Sequence, residues 1–196
     1  PLPSGRIFTL EPQPNAYLVH QYPGGVHYLS SDAITTNLLG RAARVIHEIP
    51  QAERPKDLGY TMGSSILFPG NKIAGQATIN GARGFHPRIA DRFDLTLECI
   101  RRHYIGADSP LAAVLERYTQ FFGLFDSFDG YVDFWLLQDL VDADYGHIRF
   151  FHTFDNFGTP AVPKTVDDYL GYVRASNNFI RDSNRRIQGW EATKPF

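Results

Sequence analysis

Between Thr78 and Tyr104 the chain reads TINGARGFHPRIADRFDLTLECIRRHY, and this segment holds the residues best suited to chemistry. Arg83, Arg88, Arg92, Arg101 and Arg102 are interleaved there with Asp91, Asp94 and Glu98. An arginine fork binds two oxygens of a phosphate or carboxylate at once. A neighbouring carboxylate can act as general base, ligate a metal or simply hold the arginine in place. The pattern nominates Arg83, Arg88 and Arg92 as anion ligands and Asp94 or Glu98 as the base or metal-binding acid. Asn80 opens the stretch Asn80-Gly-Ala-Arg-Gly84, which reads as a polar loop whose small residues let a ligand approach the backbone. The amino end of the helix that follows would favour an anion. Farther along, Gln138 and Asp139 interrupt an apolar run at 131–141. A carboxylate in such surroundings needs a partner or a shifted pKa. Asp139 therefore joins the catalytic candidates, and Asn80 and Gln138 are the substrate-orienting ones. The competing reading is a structural salt-bridge lattice.

Other polar residues carry weaker signals. The seven histidines (20, 27, 47, 86, 103, 147 and 152) form no HExxH or other recognised metal spacing, so no zinc site is expected and no metal ligand is assigned. His86 and His103 flank the central segment and could serve as a base, although surface or satisfied core histidines are commoner. Cys99 falls between two faces of its helix and is expected to be packed, not nucleophilic. There is no GxGxxG, Walker or GxSxG sequence. Asn177 and Asn184 sit in the apolar stripe of the last helix, which implies a buried hydrogen-bond network or a site wall.

The elements that must position these residues follow from periodicity. Residues 6–10, 16–20 and 26–30 are short β-type runs punctuated by Pro12, Pro14, Pro23, Gly24 and Gly25, a small antiparallel meander. Ser31 and Asp32 offer N-caps for a helix near 33–47. Ser64–Phe68 reads as a strand, and Gln76–Ile79 could pair back on it as a hairpin. Ile89, Phe93, Leu97, Ile100 and Tyr104 mark one face of a helix near 88–104. Asp91, Asp94, Glu98 and Arg102 fall on the opposite face with Leu95 among them. An apolar residue inside a charged stripe implies a cleft or a second packed surface, not plain solvent, and the helix is expected to be central with its charged face toward a cleft. Leu111, Leu115, Tyr118, Phe122 and Phe125 predict a second amphipathic helix, and Arg149-Phe-Phe151 a strand. Periodicity leaves 131–141 open between buried helix and strand. Thr165 with Asp168 resembles a capping box before a long helix.

The 196 residues fit one domain spanning 1–196, with enough length for a sizeable core. The aromatic share of 14% is high and calls for an aromatic-rich core or cleft. A formal charge of −2 argues against a generally basic nucleic-acid-coating protein. A lone cysteine excludes an internal disulfide and suits a cytoplasmic location. No run approaches the apolar length of a membrane span.

The stretches TINGARGF (78–85), DRFDLTLECIRRHY (91–104), SPL (109–111), GYVDFWLLQDLV (130–141) and DSNRRI (182–187) resemble a widespread bacterial family of uncharacterised proteins. Its members usually carry a further segment ahead of a KPLPSG-like stretch, and this chain starts at PLPSG, so residues are expected before Pro1. Ser183 and Trp135 depart from the residues usual in that family, arginine and phenylalanine respectively. The resemblance names no substrate and no cofactor. The expectation is an α+β fold, its meander and central hairpin packed against several helices. The leading functional expectation is an enzyme acting on a phosphate-bearing ligand, such as a nucleotide, NAD or a nucleic-acid end. ADP-ribosyl transfer and phosphodiester cleavage are both conceivable without their usual signatures. The alternative is a non-catalytic binding or regulatory module, and a toxin or phage-defence role is compatible with either. An enzyme should bring Arg83, Asp94, Glu98 and Asp139 into one open pocket. A binding module should leave them paired with one another and show an apolar patch elsewhere.

Overall fold

The computed structural model describes residues 2, 8–12, 18–22, 25–34, 44–56, 58–59 and 61–192, the last two by their backbone alone. Four antiparallel strands pair in sequence order: β1 (Glu11–Pro12), β2 (Leu18–Tyr22), β3 (Gly25–Ala33) and β4 (Ser65–Pro69). A helical stretch α1 at 44–47 precedes β4. Then come α2 (Ile79–Phe85), α3 (Phe93–Tyr104), α4 (Ala112–Glu116), α5 (Thr119–Phe122), α6 (Phe128–Phe134) and α7 (Val166–Ala192). The fold is α+β, with the strands early and every helix but α1 after them.

The sheet buries different faces at its two ends, as a twisted sheet can. On the β2–β3 side His20 lies opposite His27, and both are buried while Tyr28 beside them is exposed. Toward β4 Ile66 and Phe68, opposite Asp32 and Ser30, are buried on the other face, while the buried Pro69 still lies opposite Leu29. That second register turns the Asp32 carboxylate toward α2.

Several elements differ from the sequence reading. β4 pairs with β3 and not with 76–79. Thr78 instead caps α2, its Oγ1 accepting from the Gly81 backbone N–H at 3.2 Å. Asn80–Gly84 therefore lies inside a helix, not in a loop; its two glycines cost helix stability locally, and the bonds made by Arg83 offset that. Part of the first predicted strand, 6–7, lies outside the described residues, and Phe8–Leu10 carry no strand pairing. Position 33, the predicted helix start, closes β3; 44–47 are helical, and 35–43 lie outside the described residues. α3 begins at Phe93 and not near 88, because Ala90 and Asp91 adopt positive φ of 50° and 63°. The second amphipathic stretch breaks into α4, α5 and a 3-10 turn at Gly123–Phe125. Within 131–141 the helix stops at Phe134, Leu136 takes a φ of 56°, and a 3-10 turn follows at Gln138–Leu140. Arg149–Phe151 forms no strand; the adjacent Ile148 makes a single bridge to Val141.

α3 is the central element. Every residue from Phe93 to Ile100 is buried, so both its apolar and its charged face are packed. The charged face, expected toward a cleft, is instead a second packed surface with Leu95 in it. α7 is capped as predicted, with the Asp168 N–H donating to Thr165 Oγ1 at 3.1 Å. Its two stripe asparagines bind backbone of the segment ahead of β4. Asn177 Nδ2 donates to the Lys56 carbonyl at 3.3 Å, and Asn184 Oδ1 accepts from the Gly63 N–H at 2.9 Å. Gly63 is needed there, since an added Cβ would meet Asn184 N at 2.7 Å and the Ile180 carbonyl oxygen at 2.8 Å.

Candidate functional site

Arg83 projects from the last turn of α2 and is 1% exposed. Its Nε donates to Thr96 Oγ1 at 2.9 Å, Nη1 to Asp32 and, at 2.7 Å, to Asp91 Oδ1, and Nη2 to the Asp91 carbonyl at 2.7 Å. One guanidinium thereby joins β3, α2, the 87–91 turn and α3. The positive φ of Asp91 belongs to this arrangement, because side chain and carbonyl of one residue both reach the same fork.

Arg92 is fully buried and forms a fork-to-fork pair with Asp94 through Nε (3.1 Å) and Nη2. Its remaining donors reach the carbonyls of Ala161 and His152, both at 3.1 Å. Asp94 Oδ2 also accepts from the Phe151 N–H at 2.9 Å. The pair thus fastens the 151–161 segment to the start of α3, with Tyr172 of α7 5.9 Å from the guanidinium carbon. Thr96 Oγ1 donates to the Arg92 carbonyl at 2.8 Å, so the two arginine knots share a hydroxyl.

Glu98, 4% exposed, takes Arg101 Nε at 2.8 Å, Arg101 Nη2 at 3.0 Å and Arg102 Nε at 2.7 Å. Arg102 also donates to the Asp108 carbonyl at 3.1 Å and lies 4.9 Å from the Phe157 ring centre. Asp139 faces α7 and not α3, and Arg186 holds it by two bonds of 2.9 and 2.6 Å. Gln138 donates to Asp133 Oδ1 at 2.9 Å, and the same oxygen accepts from Tyr145 Oη at 2.7 Å. That bond and the Asp133 charge push the Tyr145 phenol above its ordinary pKa. Asn80 is half-buried with its Oδ1 unpartnered, and Arg88 is exposed with no side-chain partner among the described residues.

The predicted residues thus divide into separate groups. Arg83, Arg92 and Asp94 share one buried knot, Glu98 stands one turn farther along α3, and Asp139 with Gln138 belongs to the α6–α7 side. Sequence reasoning missed Asp32 and Thr96 as partners of Arg83. Asp32 stands 51 positions away, and nothing local marks it. Cys99 is buried as expected, and burial pushes its thiol up to about 12. Desolvation lowers the His103 and His152 pKa values below the ordinary imidazole range.

A family model matches residues 1–187, a span that takes in every one of these groups. The chain belongs to DUF6994, a family of unknown function. No curated protein and no solved structure matches it.

The DUF6994 chain has open clefts away from the arginine knots. One, of about 460 Å³, is walled by Tyr104, Phe128 and Tyr145 and rimmed by Asp126, Asp129 and Asp144. Its one lining cation, Arg101, is already chelated by Glu98. Asp126 there adopts φ 64° and ψ −38° within a three-residue turn closed by Ser127 N–H to the Phe125 carbonyl at 2.7 Å, an uncommon conformation for a non-glycine residue. Asp142, Asp144 and His147 present ligand atoms within 4.8 Å of one another and are the residues most able to hold a metal among those described. Each has a nearer explanation, because Asp142 accepts the His147 backbone N–H (3.0 Å) and ring Nδ1 (2.9 Å), and Asp144 the Gly146 N–H (2.9 Å). Another cleft, also about 460 Å³, is apolar. Met62, Leu67, Phe134, Trp135, Ile187 and Trp190 line it where the 3-10 turn before β4 crosses α7. Met62 and Trp190 are 65% and 48% exposed. No helix among the described residues is long and apolar enough to cross a membrane.

Proposed function

We propose that this chain is a non-catalytic binding module whose arginine–acid lattice fixes the fold, and that the groove between Met62 and Trp190 receives an apolar segment of a partner protein. The carrying observation is the state of the lattice. Arg83, Arg92, Asp94 and Glu98 are each at least 95% buried and already partnered: Arg83 by Asp32, Asp91 and Thr96, Arg92 and Asp94 by each other and by backbone groups, and Glu98 by Arg101 and Arg102. A phosphate-bearing ligand would have to displace those partners, leaving carboxylates buried and unpaired. None of Arg83, Asp94, Glu98 and Asp139 lines the clefts described above. The groove has the opposite character, with Met62 and Trp190 exposed and Leu67 partly exposed. Met and Trp are enriched at protein interfaces, and methionine adapts its shape to a partner.

The test has two arms. A thermal-shift panel of nucleotides, NAD, short oligonucleotides and divalent cations should leave the melting temperature unchanged. A photo-crosslinker at position 62, used in the source cells, should give a discrete adduct that Leu67→Glu abolishes. The adduct partner, once purified, should bind the isolated chain with a negative heat-capacity change, the mark of apolar burial. A saturable rise in melting temperature with any phosphate-bearing ligand would restore the enzyme reading. An adduct insensitive to Leu67→Glu would remove the groove from the account.

A further inference from the structure

His20 and His27 stand directly opposite each other on β2 and β3 and are 6% and 5% exposed. Their rings lie 6.1 Å apart and nearly parallel. Phe8 stacks on His20 at 4.4 Å, Tyr22 stacks on His27 at 4.4 Å, and Phe121 of α5 meets His27 edge-on at 5.7 Å. These contacts join the pair to the aromatic core, since Phe121 and Phe8 both pack against Phe125. The two imidazoles are therefore part of the seam between the sheet and the helices.

Among the described residues the seam has no acid to balance a charge. The polar groups against the rings are the Thr9 carbonyl, 3.4 Å from His20 Nδ1, and the phenol of Tyr22. α5 and the 3-10 turn after it contribute phenylalanines. Glu11 of β1 is exposed and bound to Gln21, and Asp126 beyond the 3-10 turn is also exposed. His20 Nε2 and His27 Nδ1 are buried without a hydrogen-bond partner among the described residues. A bare ring nitrogen is tolerable there as a lone pair. As a charged N–H donor it would be desolvated and unpaired, and two such charges would face each other across the strands.

We propose that the His20–His27 pair is an acid-sensitive latch, closed while the His27 ring is neutral and released when that ring is protonated, which frees the β2–β3 hairpin from the aromatic core. Burial, with His20 beside it, pushes His27 down from 6.5 to about 4. The folded form thus binds fewer protons than the unfolded chain between those values. The latch is complete above about pH 6.5 and weakens as pH falls toward 4. That difference corresponds to a change of about 300-fold in the opening equilibrium.

Hydrogen exchange of the whole chain at pH 7 and pH 5, corrected for intrinsic rates, reads the release directly. Amides in β2 and β3 should lose protection on acidification by a larger factor than those in the middle of α7, and His27→Phe should suppress that selective loss. Equal losses in sheet and α7 would overturn the latch, as would a selective loss that persists in His27→Phe. If the variant fails to fold, the His27 ring resonances of the unaltered protein decide: a midpoint below about 5 supports the latch, and one at 6 or above overturns it.

Discussion

Two arginine–carboxylate pairs in this molecule use the same chemistry in different solvents. Arg92 and Asp94 are completely buried, and the leftover donors and acceptors of the pair go to backbone groups of the 151–161 segment. Arg186 and Asp139 make an equally good fork-to-fork contact, but their side chains are 37% and 24% exposed. Water can replace either partner of the second pair and neither partner of the first. Geometry alone would rank the two alike; burial makes the first a fastening of the fold and the second a contact between neighbouring elements.

The largest expected effect tests that contrast. Arg92→Ala strands the Asp94 carboxylate and should destabilise the protein by about 3–5 kcal/mol in urea denaturation. Arg92→Lys should recover little, because an ammonium cannot reach a bidentate carboxylate and two carbonyls together. A paired Arg92→Met, Asp94→Leu variant should be more stable than Arg92→Ala, since the orphaned charge is what costs most. An Arg92→Ala protein within 1 kcal/mol of the original would dissolve the distinction between the two pairs. Next comes Gly63→Ala, where the new methyl meets the α7 backbone, which cannot give way as a side chain would. The expected loss is about 1–3 kcal/mol, without change in the Arg92 knot.

How far each region was legible in the sequence follows the same division. The long helix and its Thr165 cap were readable, because each rests on local spacing; the charged face of α3 was expected against a cleft and is instead packed, with Leu95 as the only hint of that. The arginines and acids of the central segment were recognisable as a group, but their partners were not. Asp32 reaches Arg83 through strand register, and Asp139 turns to Arg186 through the break at Leu136. Neither fact leaves a local trace. Asn80–Gly84 misled for a related reason: two glycines look like a loop until Thr78 caps the turn and Arg83 is anchored on four sides. The apolar groove joins the 61–67 segment, the end of α6 and the end of α7, so no single stretch announced it.

The smaller effects sharpen the contrast from the exposed side. Arg186→Ala should cost at most about 1 kcal/mol, the usual range for solvent-accessible pairs. The loss should shrink further in 1 M salt, where screening acts within about 3 Å, and a salt-independent loss would show that the pair is not water-accessible. Met62→Asp should change stability by no more than about 0.5 kcal/mol, because the side chain is mostly in solvent and its replacement strands no buried group. The same substitution places a charge in the apolar groove and should abolish capture of the partner. Stability kept and binding lost would separate the surface that acts from the lattice that only holds. Stability lost with binding would show that Met62 belongs to the packing, and the groove would then be a seam of the fold.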